Sequence, residues 1–539
     1  MKTSIHIFLV ASILWSFGLY AQDSLNVNKL GRFDYSVDLS DIWGYAGNEG
    51  KEYALVGLRN GVSIVNITQA PVLNEIIRIP GVPSIWRDLK TWGHHAYVTH
   101  DITRNPATMP AQGLLVINMD SIDEGRIPTY QYLKLPIPIN GGFDTLKTAH
   151  NLYIDENGIC YIFGANVGNG GALMFDLNSN PWNPTFIGLW DEDYLHDGVV
   201  RGDTLWGSAV FAGNFVVVDV SNKAFPITQS ARLTPAQFTH NAWFSGNNKY
   251  LFTTDEVAAA PVTAYDVSNI NNIREIDQIR SSLNPQAIPH NAHWHNNFLV
   301  NSYYTSGVQI VDVREPDMMV EVGYYDTSPN FSDDTFNGCW GAYPWLPSGR
   351  ILASDMQEGL YVLSSTYPRA SHLRLHVRHA ITKVPIPAAL FSSNGQSQGT
   401  SNINGNFKQG LLLNGLYNIT VSASGFNTEN LSMPLMAGQT LVDTLDMLPM
   451  GIGLSDLELT DWRIYPNPVR SVLHFELGNG LAAELQLMDM SGRILATYIK
   501  EVGTKDFNWN LEKMASGQYL LRFKQANKMP QVKILQISR

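Results

Sequence analysis

Seven segments of this chain match one another, and no other feature restricts its fold so tightly. "GVSIVNI" ends at Ile67, "GLLVINM" at Met119, "GALMFDL" at Leu177, "NFVVVDV" at Val220, "PVTAYDV" at Val267, "GVQIVDV" at Val313 and "GLYVLSS" at Ser365. They recur every 43 to 58 residues. A chain that repeats at such a period builds units that cannot bury their apolar faces alone and must stack on their neighbours.

That period is the length of a four-stranded propeller blade. The fifth repeat cuts into "HNAWFS", "KYLFTT", "VTAYDV" and "IREIDQI", separated by Gly, Asn and Ser turns. The seventh offers "CWGAYPW", "RILASDM" and "GLYVLSS" but no fourth strand. The missing strand is expected from the other end of the repeat region. "GRFDYSV", residues 31–37, resembles the outer strands "FIGLWD" and "EVGYYD", and by pairing with the last repeat it removes the open edge a linear stack would leave. The expected fold is all-β, a seven-bladed β-propeller followed by two small β-sandwich domains. An aromatic content of 11% with only 16% charged residues suits many short strands joined by turns.

The ends and the charge narrow the function. "MKTSIHIFLVASILWSFGLYAQ" has a basic start, an apolar run and a small residue at Ala21, the build of a signal peptide over residues 1–21. No later segment is apolar for long enough to span a bilayer. A formal net charge of -12 argues against a nucleic-acid surface. Cys160 and Cys339 are the two cysteines, too few for a disulfide framework.

The repeated strand carries a family resemblance. Residues 31–367 resemble the LVIVD-repeat propellers, and "HNLYIDENGICYIFGAN" is similar to the exported choice-of-anchor B group within them. The resemblance implies a surface protein with a variable means of attachment and no established chemistry. Residues 372–448, with "NGNF" and "GLYNITVSASGF", resemble the carboxypeptidase regulatory-like sandwich, an immunoglobulin-like spacer or docking unit. In "YNITVSASG" the alternation places Tyr417, Ile419, Val421 and Ala423 on one face. Residues 463–539 read as four strand-like blocks and are similar to the type A sorting domain of the type IX secretion system. The matching positions are Tyr465, Pro466, Asn467 and Pro468, then Gly492 in Ser-Gly-Arg, then Gly517 and Tyr519, with Lys533-Ile534 near the end. That resemblance implies passage across the outer membrane by the type IX machinery of a Gram-negative cell, through the periplasm, with release or attachment to surface polysaccharide.

With the repeats in register, the residues opening the first strands are Ser40, Arg87, His150, His196, His240, His290 and Cys339, followed by Asp41, Asp88, Asn151, Asp197, Asn241, Asn291 and Trp340. First strands line the channel of a propeller, so these positions share one mouth. Asp101, Asp255 and Asp355, at the ends of second strands, are expected there too. Imidazole and thiolate suit a transition metal, and His150, His196, His240 and His290 are the candidate ligands. The competing reading makes the His-Asn pairs hydrogen-bonded ties between blades, and repetition favours it, since a metal needs its ligands only once.

"DEDYLHDG", residues 191–198, holds carboxylates that suit calcium, at a spacing unlike the EF-hand. No His-Glu-x-x-His, Gly-x-Ser-x-Gly or phosphate-binding loop occurs. The connections at the histidine mouth, "DITRNPATMPAQG", "PINGGFDTLKTA" and "TSPNFSDDTFNG", are long and variable, and on a rigid scaffold such loops carry binding. The expected role is binding or scaffolding outside the cell, with a protein, glycan or small molecule as ligand. The rival is a metal-dependent hydrolytic enzyme centred on the histidines.

Overall fold

The computed structural model describes residues 23–102, 111–450, 462–477, 482–503, 506–525 and 530–539. The signal-peptide segment and most of the "DITRNPATMPAQG" loop lie outside them. The described residues are strands and connections, with no helix among them.

Among the described residues between Ser24 and Ser365 the strands form seven antiparallel sheets, six of four strands and one of five, and one short hairpin. The first strands are Leu39–Ala46, Leu89–Trp92, Asn151–Ile154, Asp197–Arg201, Thr239–Phe244, Ala292–His295 and Cys339–Tyr343. The fifth sheet, Thr239–Phe244, Tyr250–Asp255, Val262–Asp266 and Arg274–Ile279, follows the sequence parse to within one residue at each end. Apolar clusters join every sheet to the next, and one of them joins the seventh to the first: Leu39, Ile42, Ala54 and Val56 pack with Tyr343, Leu352, Leu360 and Val362. Third strands such as Asn214–Asp219 are buried along nearly their whole length because both faces meet a neighbouring sheet, whereas the fourth strand Ile227–Leu233 alternates with solvent.

The acidic or amide residue one position before the end of the repeated segment has a local cause. Asn66, Asn118, Asp176, Asp219, Asp266 and Asp312 each accept the backbone N–H two residues on, at 2.8–3.1 Å, which closes the turn into the fourth strand. In the seventh repeat Ser365, one position later, accepts Tyr367 N at 3.0 Å where the chain leaves the sheet. The repeat is therefore a strand sized to be buried on both faces, followed by a side chain that caps its own turn.

The amino-terminal strand pairs with the last sheet as expected, but over Val27–Phe33, with a bulge between Lys29 and Gly31. Residues 34–37 lie beyond that pairing. Phe33, Tyr35 and Val37 alternate because they pack against the core between the seventh and first sheets. Ser24–Leu25 adds a fifth strand to the sixth sheet. The "PINGGFDTLKTA" connection is also more ordered than a loop: Pro136–Ile139 and Gly142–Thr145 form the hairpin.

After Ser365 the strands belong to other sheets. One has the order Asn406–Leu411, Ser371–His379, Thr440–Met447, and another Gln396–Thr400, Leu390–Ser393, Gly415–Ser422, Glu429–Leu435. Tyr417, Ile419 and Val421 are buried as their alternation requires, and Phe391 stacks on Phe407 at 3.7 Å. Among its described residues the tail holds seven strands in a three-stranded and a four-stranded sheet around Trp462, Leu473, Phe475, Leu485, Leu521 and Leu535. The sequence showed four blocks because two of its strands, Ile494–Lys500 and Asp506–Asn510, are largely exposed and carry little apolar signal. The chain divides into two compact units, one running through Arg374 and including 408–416 and 434–441, the other holding the remainder.

Candidate functional site

Strand register places the histidines. The backbone N–H groups of His150, His196 and His290 bond to the carbonyls of Phe163, Ser208 and Ser302, at the ends of their second strands, by 2.8–3.0 Å. Each imidazole then faces the space enclosed by the first strands. Ring centroids step from His150 to His196 by 4.1 Å, to His240 by 4.2 Å and to His290 by 4.3 Å, and Trp340 follows at 4.8 Å. With Trp86, Arg87, Asp88, Asp41, Asn151 and Asn291 these rings line a cavity of about 20 Å³.

The polar partners fix the ring orientations. His240 Nδ1 donates to the His290 carbonyl at 3.0 Å, which leaves Nε2 with its lone pair. That Nε2 stands 3.8 Å from Glu256 Oε2, and His290 Nε2 stands 3.8 Å from Oε1 of the same carboxylate. Tyr304 donates its hydroxyl to Glu256 at 2.6 Å. His150 Nδ1 lies 2.9 Å from Asp101 Oδ2. Burial holds the His240 imidazole down to about 3, with the charge of His150 adding to the effect, and burial together with the neighbouring imidazoles puts His196 and His290 well below the ordinary range. Burial raises Glu256 to about 7, against the opposing Tyr304 bond and the His150 charge. Among the described residues, His196, His240 and Glu256 form a group whose donor atoms all lie within 4.8 Å of one another.

The second column does different work. Asp88 accepts from Leu152 N at 3.0 Å and so binds the second sheet to the third. Asn241 donates to Asp197 at 2.6 Å and accepts from Ala292 N at 3.1 Å, joining the fourth, fifth and sixth sheets. Lys90 bonds Asp88 at 2.6 Å and lies 4.4 Å from the Trp43 ring centre; burial opposes its charge, but Asp88, Asp41 and Asp197 hold its pKa above the ordinary value. Two residues further along the first strands, Trp43, Trp243, His293 and Tyr343 come together with Trp345, with Trp243 stacked on Trp345 at 5.2 Å.

The predicted residues thus separate. His150, His196, His240 and His290 are brought together, and Asp101 joins them through His150. Cys339 does not face the cavity: it is fully buried between the sixth and seventh sheets beside Val308, Ile310 and Tyr361, and Trp340 occupies its expected place. Cys339 pairs with Asp355 as Thr239 pairs with Asp255, with the same register shift after it, so the counterpart of His240 in the seventh sheet is Trp340 and the aligned column stood one residue early there. Asp255 is taken up by Thr234 and by the N–H groups of Ala236 and Phe238. Asp355 is taken up by Thr327 and by the N–H groups of Gln357 and Glu358. Asp191 of the acidic stretch accepts Asn169 N at 2.7 Å and so clasps the "GNGG" turn.

The three histidines of "HNAHWH" have three fates. His290 joins the row, His293 bonds the Ala342 carbonyl at 2.7 Å within the aromatic cluster, and His295 is half-buried and bonds Asn296. Glu256, Tyr304 and the buried His100 were not singled out from the sequence. Glu256 lies one residue past Asp255, and its place on the loop side of that strand end was the available signal.

In the tail, the sorting-signal residues hold the fold together. Asn467 donates to Ile534 O at 2.9 Å and accepts Gln536 N at 2.8 Å, tying the Tyr-Pro-Asn-Pro entry to the last strand. Asp489 caps the Ser-Gly-Arg turn, where Gly492 has φ of 88°. Tyr519 donates to Ala515 O at 2.8 Å, and Lys533 donates to Trp462 O at 2.8 Å.

Residues 463–537 match the family of secretion-system C-terminal sorting domains, and residues 209–234 match the LVIVD repeat. The first match marks a protein exported to the outer cell surface or secreted by a Gram-negative bacterium, handled by the type IX machinery, and among the described residues no helix is long and apolar enough to cross a membrane. None of the curated proteins matches the chain. Solved structures are similar to the chain at low identity and low TM-score. A candidate 6-phosphogluconolactonase from Bacteroides fragilis is 12% identical, with 54% of this chain and 84% of the other covered and a TM-score of 0.39. A β-propeller domain from Myceliophteria thermophila is 9% identical over 63% of this chain and 99% of the other, TM-score 0.42. The extracellular domain of a candidate one-component system from B. thetaiotaomicron is 9% identical over 96% of this chain and 58% of the other, TM-score 0.41. The chain is an exported all-β protein with a propeller-like repeat region and a type IX sorting domain.

Proposed function

We propose that residues 31–367 are a seven-bladed β-propeller of the choice-of-anchor B kind, followed by a carboxypeptidase regulatory-like sandwich at 372–448 and a sandwich-shaped sorting domain at 463–539, and that the exported protein binds or scaffolds rather than catalyses. The observation that supports this most directly is the size of the histidine cavity. About 20 Å³ holds one water-sized guest, whereas pockets for organic molecules run to roughly 300–1,000 Å³. A protein or glycan partner therefore meets the surface around the mouth. The connections there carry exposed aromatic side chains at Phe143, Phe211 and Phe336, the residue type enriched in recognition surfaces.

Two experiments test the reading. In a type IX-proficient Gram-negative host, the full chain should be digestible by protease added to intact cells, and a chain lacking 463–539 should stay in the periplasm. The purified protein should bind components of an extracellular protein or glycan array, with loss in a Phe143→Ser, Phe211→Ser, Phe336→Ser variant that retains its melting temperature. Binding unchanged in that variant would remove the histidine face from the proposal, and turnover of a substrate that depends on His196 would replace scaffolding by catalysis.

A further inference from the structure

We propose that His196, His240 and Glu256 form a binding site for one divalent transition-metal cation of the zinc type, at the edge of the central cavity that both imidazoles line. The site does not rest on the export route or on the aromatic loops. Three observations carry it.

The first is the donor geometry. Two imidazole nitrogens and a carboxylate oxygen lie within 4.8 Å of one another, and His240 Nε2 is 3.8 Å from Glu256 Oε2. A tetrahedron built on bonds of about 2.0–2.1 Å has edges of roughly 3.3 Å, so closure asks this pair to contract by about half an ångström. His290 Nε2, 3.8 Å from the other Glu256 oxygen, is the nearest further donor.

The second is orientation by outer partners. His240 spends Nδ1 on the His290 carbonyl, which fixes the tautomer that offers Nε2, and Tyr304 bonds Glu256 and turns the carboxylate. Metal-bound imidazoles and carboxylates are held in this way.

The third is charge and room. The cavity that both imidazoles line has space for one ion or water, and two imidazole nitrogens with a carboxylate oxygen are a donor set that suits a zinc-type cation. Arg87 lines the cavity, but its guanidinium donates to the carbonyls of Leu58 and Val82. The His₂Glu set departs from a row of four histidines because Glu256 comes from a second-strand end in the fifth sheet, opposite the imidazoles of the fourth and fifth sheets, while His150 is bonded to Asp101.

The test uses the full chain produced without affinity histidines and stripped with a chelator. Zn²⁺ is titrated in competition with a chromophoric chelator, and Co²⁺ is added separately for its visible absorption. The expected result is one equivalent of Zn²⁺, a melting temperature raised by the metal, and Co²⁺ bands of a four- or five-coordinate site. Glu256→Gln keeps the Tyr304 bond and should weaken Zn²⁺ at least ten-fold; His240→Gln should abolish the Co²⁺ bands; Tyr304→Phe should weaken Zn²⁺ about ten-fold. Should His240→Gln fail to fold, Glu256→Gln decides alone, since it leaves the apo melting temperature near that of the parent. Less than about 0.2 equivalents in the parent at micromolar Zn²⁺, or parent-like affinity in folded Glu256→Gln, would overturn the site.

Discussion

Replacing Asn241 by alanine should destabilise the repeat region more than its single small side chain suggests. Asn241 is 2% exposed and serves three sheets: its amide donates to Asp197 at 2.6 Å, and its oxygen accepts Ala292 N at 3.1 Å. The variant leaves a buried carboxylate with Gly198 N as its remaining donor and leaves a buried N–H with none. Losing a hydrogen bond to a charged group costs about 1.5–3 kcal/mol, and an unsatisfied buried N–H about 1–3 kcal/mol more. The sum, about 3–5 kcal/mol, lowers the melting temperature of a unit this large by about 5 °C, at roughly 1–2 °C per kcal/mol. The loss should depend on pH. Burial holds the Asp197 carboxyl up to about 6, so below about pH 5 it is protonated in both proteins and the lost bond is an ordinary neutral one. Scanning calorimetry of parent and variant at pH 8 and pH 5 should show the larger difference at pH 8. A shift under 1 °C at pH 8 would show that Asn241 is not a tie between sheets, and an equal shift at both pH values would refute the role given to the Asp197 charge.

Three further outcomes follow from individual contacts. Burial raises Asp355 to about 6, above its unfolded value, so the folded state binds this proton more tightly and loses about 3 kcal/mol as pH rises from 4 to above 6; in urea unfolding, Asp355→Asn should be more stable than the parent at pH 7.5 and no more stable at pH 4. Burial lowers His100 to about 4, helped by Arg87, so its contribution is lost as pH falls from about 6.5 to 4; His100→Gln should cut the acid-side loss by about 3 kcal/mol in the same assay. At Gly168 φ is 59° and an added Cβ would stand 2.1 Å from Asp191 Oδ2, so Gly168→Ala should cost roughly 1–3 kcal/mol, read as a lower unfolding midpoint.

Much of the architecture could be read locally. The fifth repeat's four strands were legible because third strands such as Val262–Asp266 are apolar on both faces and end in a side chain that caps its own turn, two signals carried within a few residues. The tail was legible for the same reason: Asn467, Gly492 and Tyr519 serve turns and strand ends whose partners are set by the motif. The amino-terminal strand was misplaced by four residues because Phe33, Tyr35 and Val37 alternate for packing, and periodicity cannot separate packing from pairing.

The site was less legible. Register alone brought His150, His196, His240 and His290 to one mouth, since every first strand opens on the same side. It failed at Cys339, which stands one residue early in the column: Cys339 pairs with Asp355 as Thr239 does with Asp255, so Trp340 takes the position of His240, and with no histidine in the seventh repeat the column had nothing to fix its register. It also failed at Glu256, whose neighbour Asp255 had the expected chemistry but is consumed by Thr234, Ala236 and Phe238.

The sequence by itself determined the repeat, the caps that end its strands and the sorting tail, because these rest on contacts between residues close along the chain. Which carboxylate meets the imidazoles, which asparagine joins three sheets and how much space the ring encloses were decided by tertiary structure alone. Those properties arise where strands from different repeats converge, such as Asn241 between Asp197 and Ala292, and their distances are set by how the sheets pack rather than by any spacing along the chain.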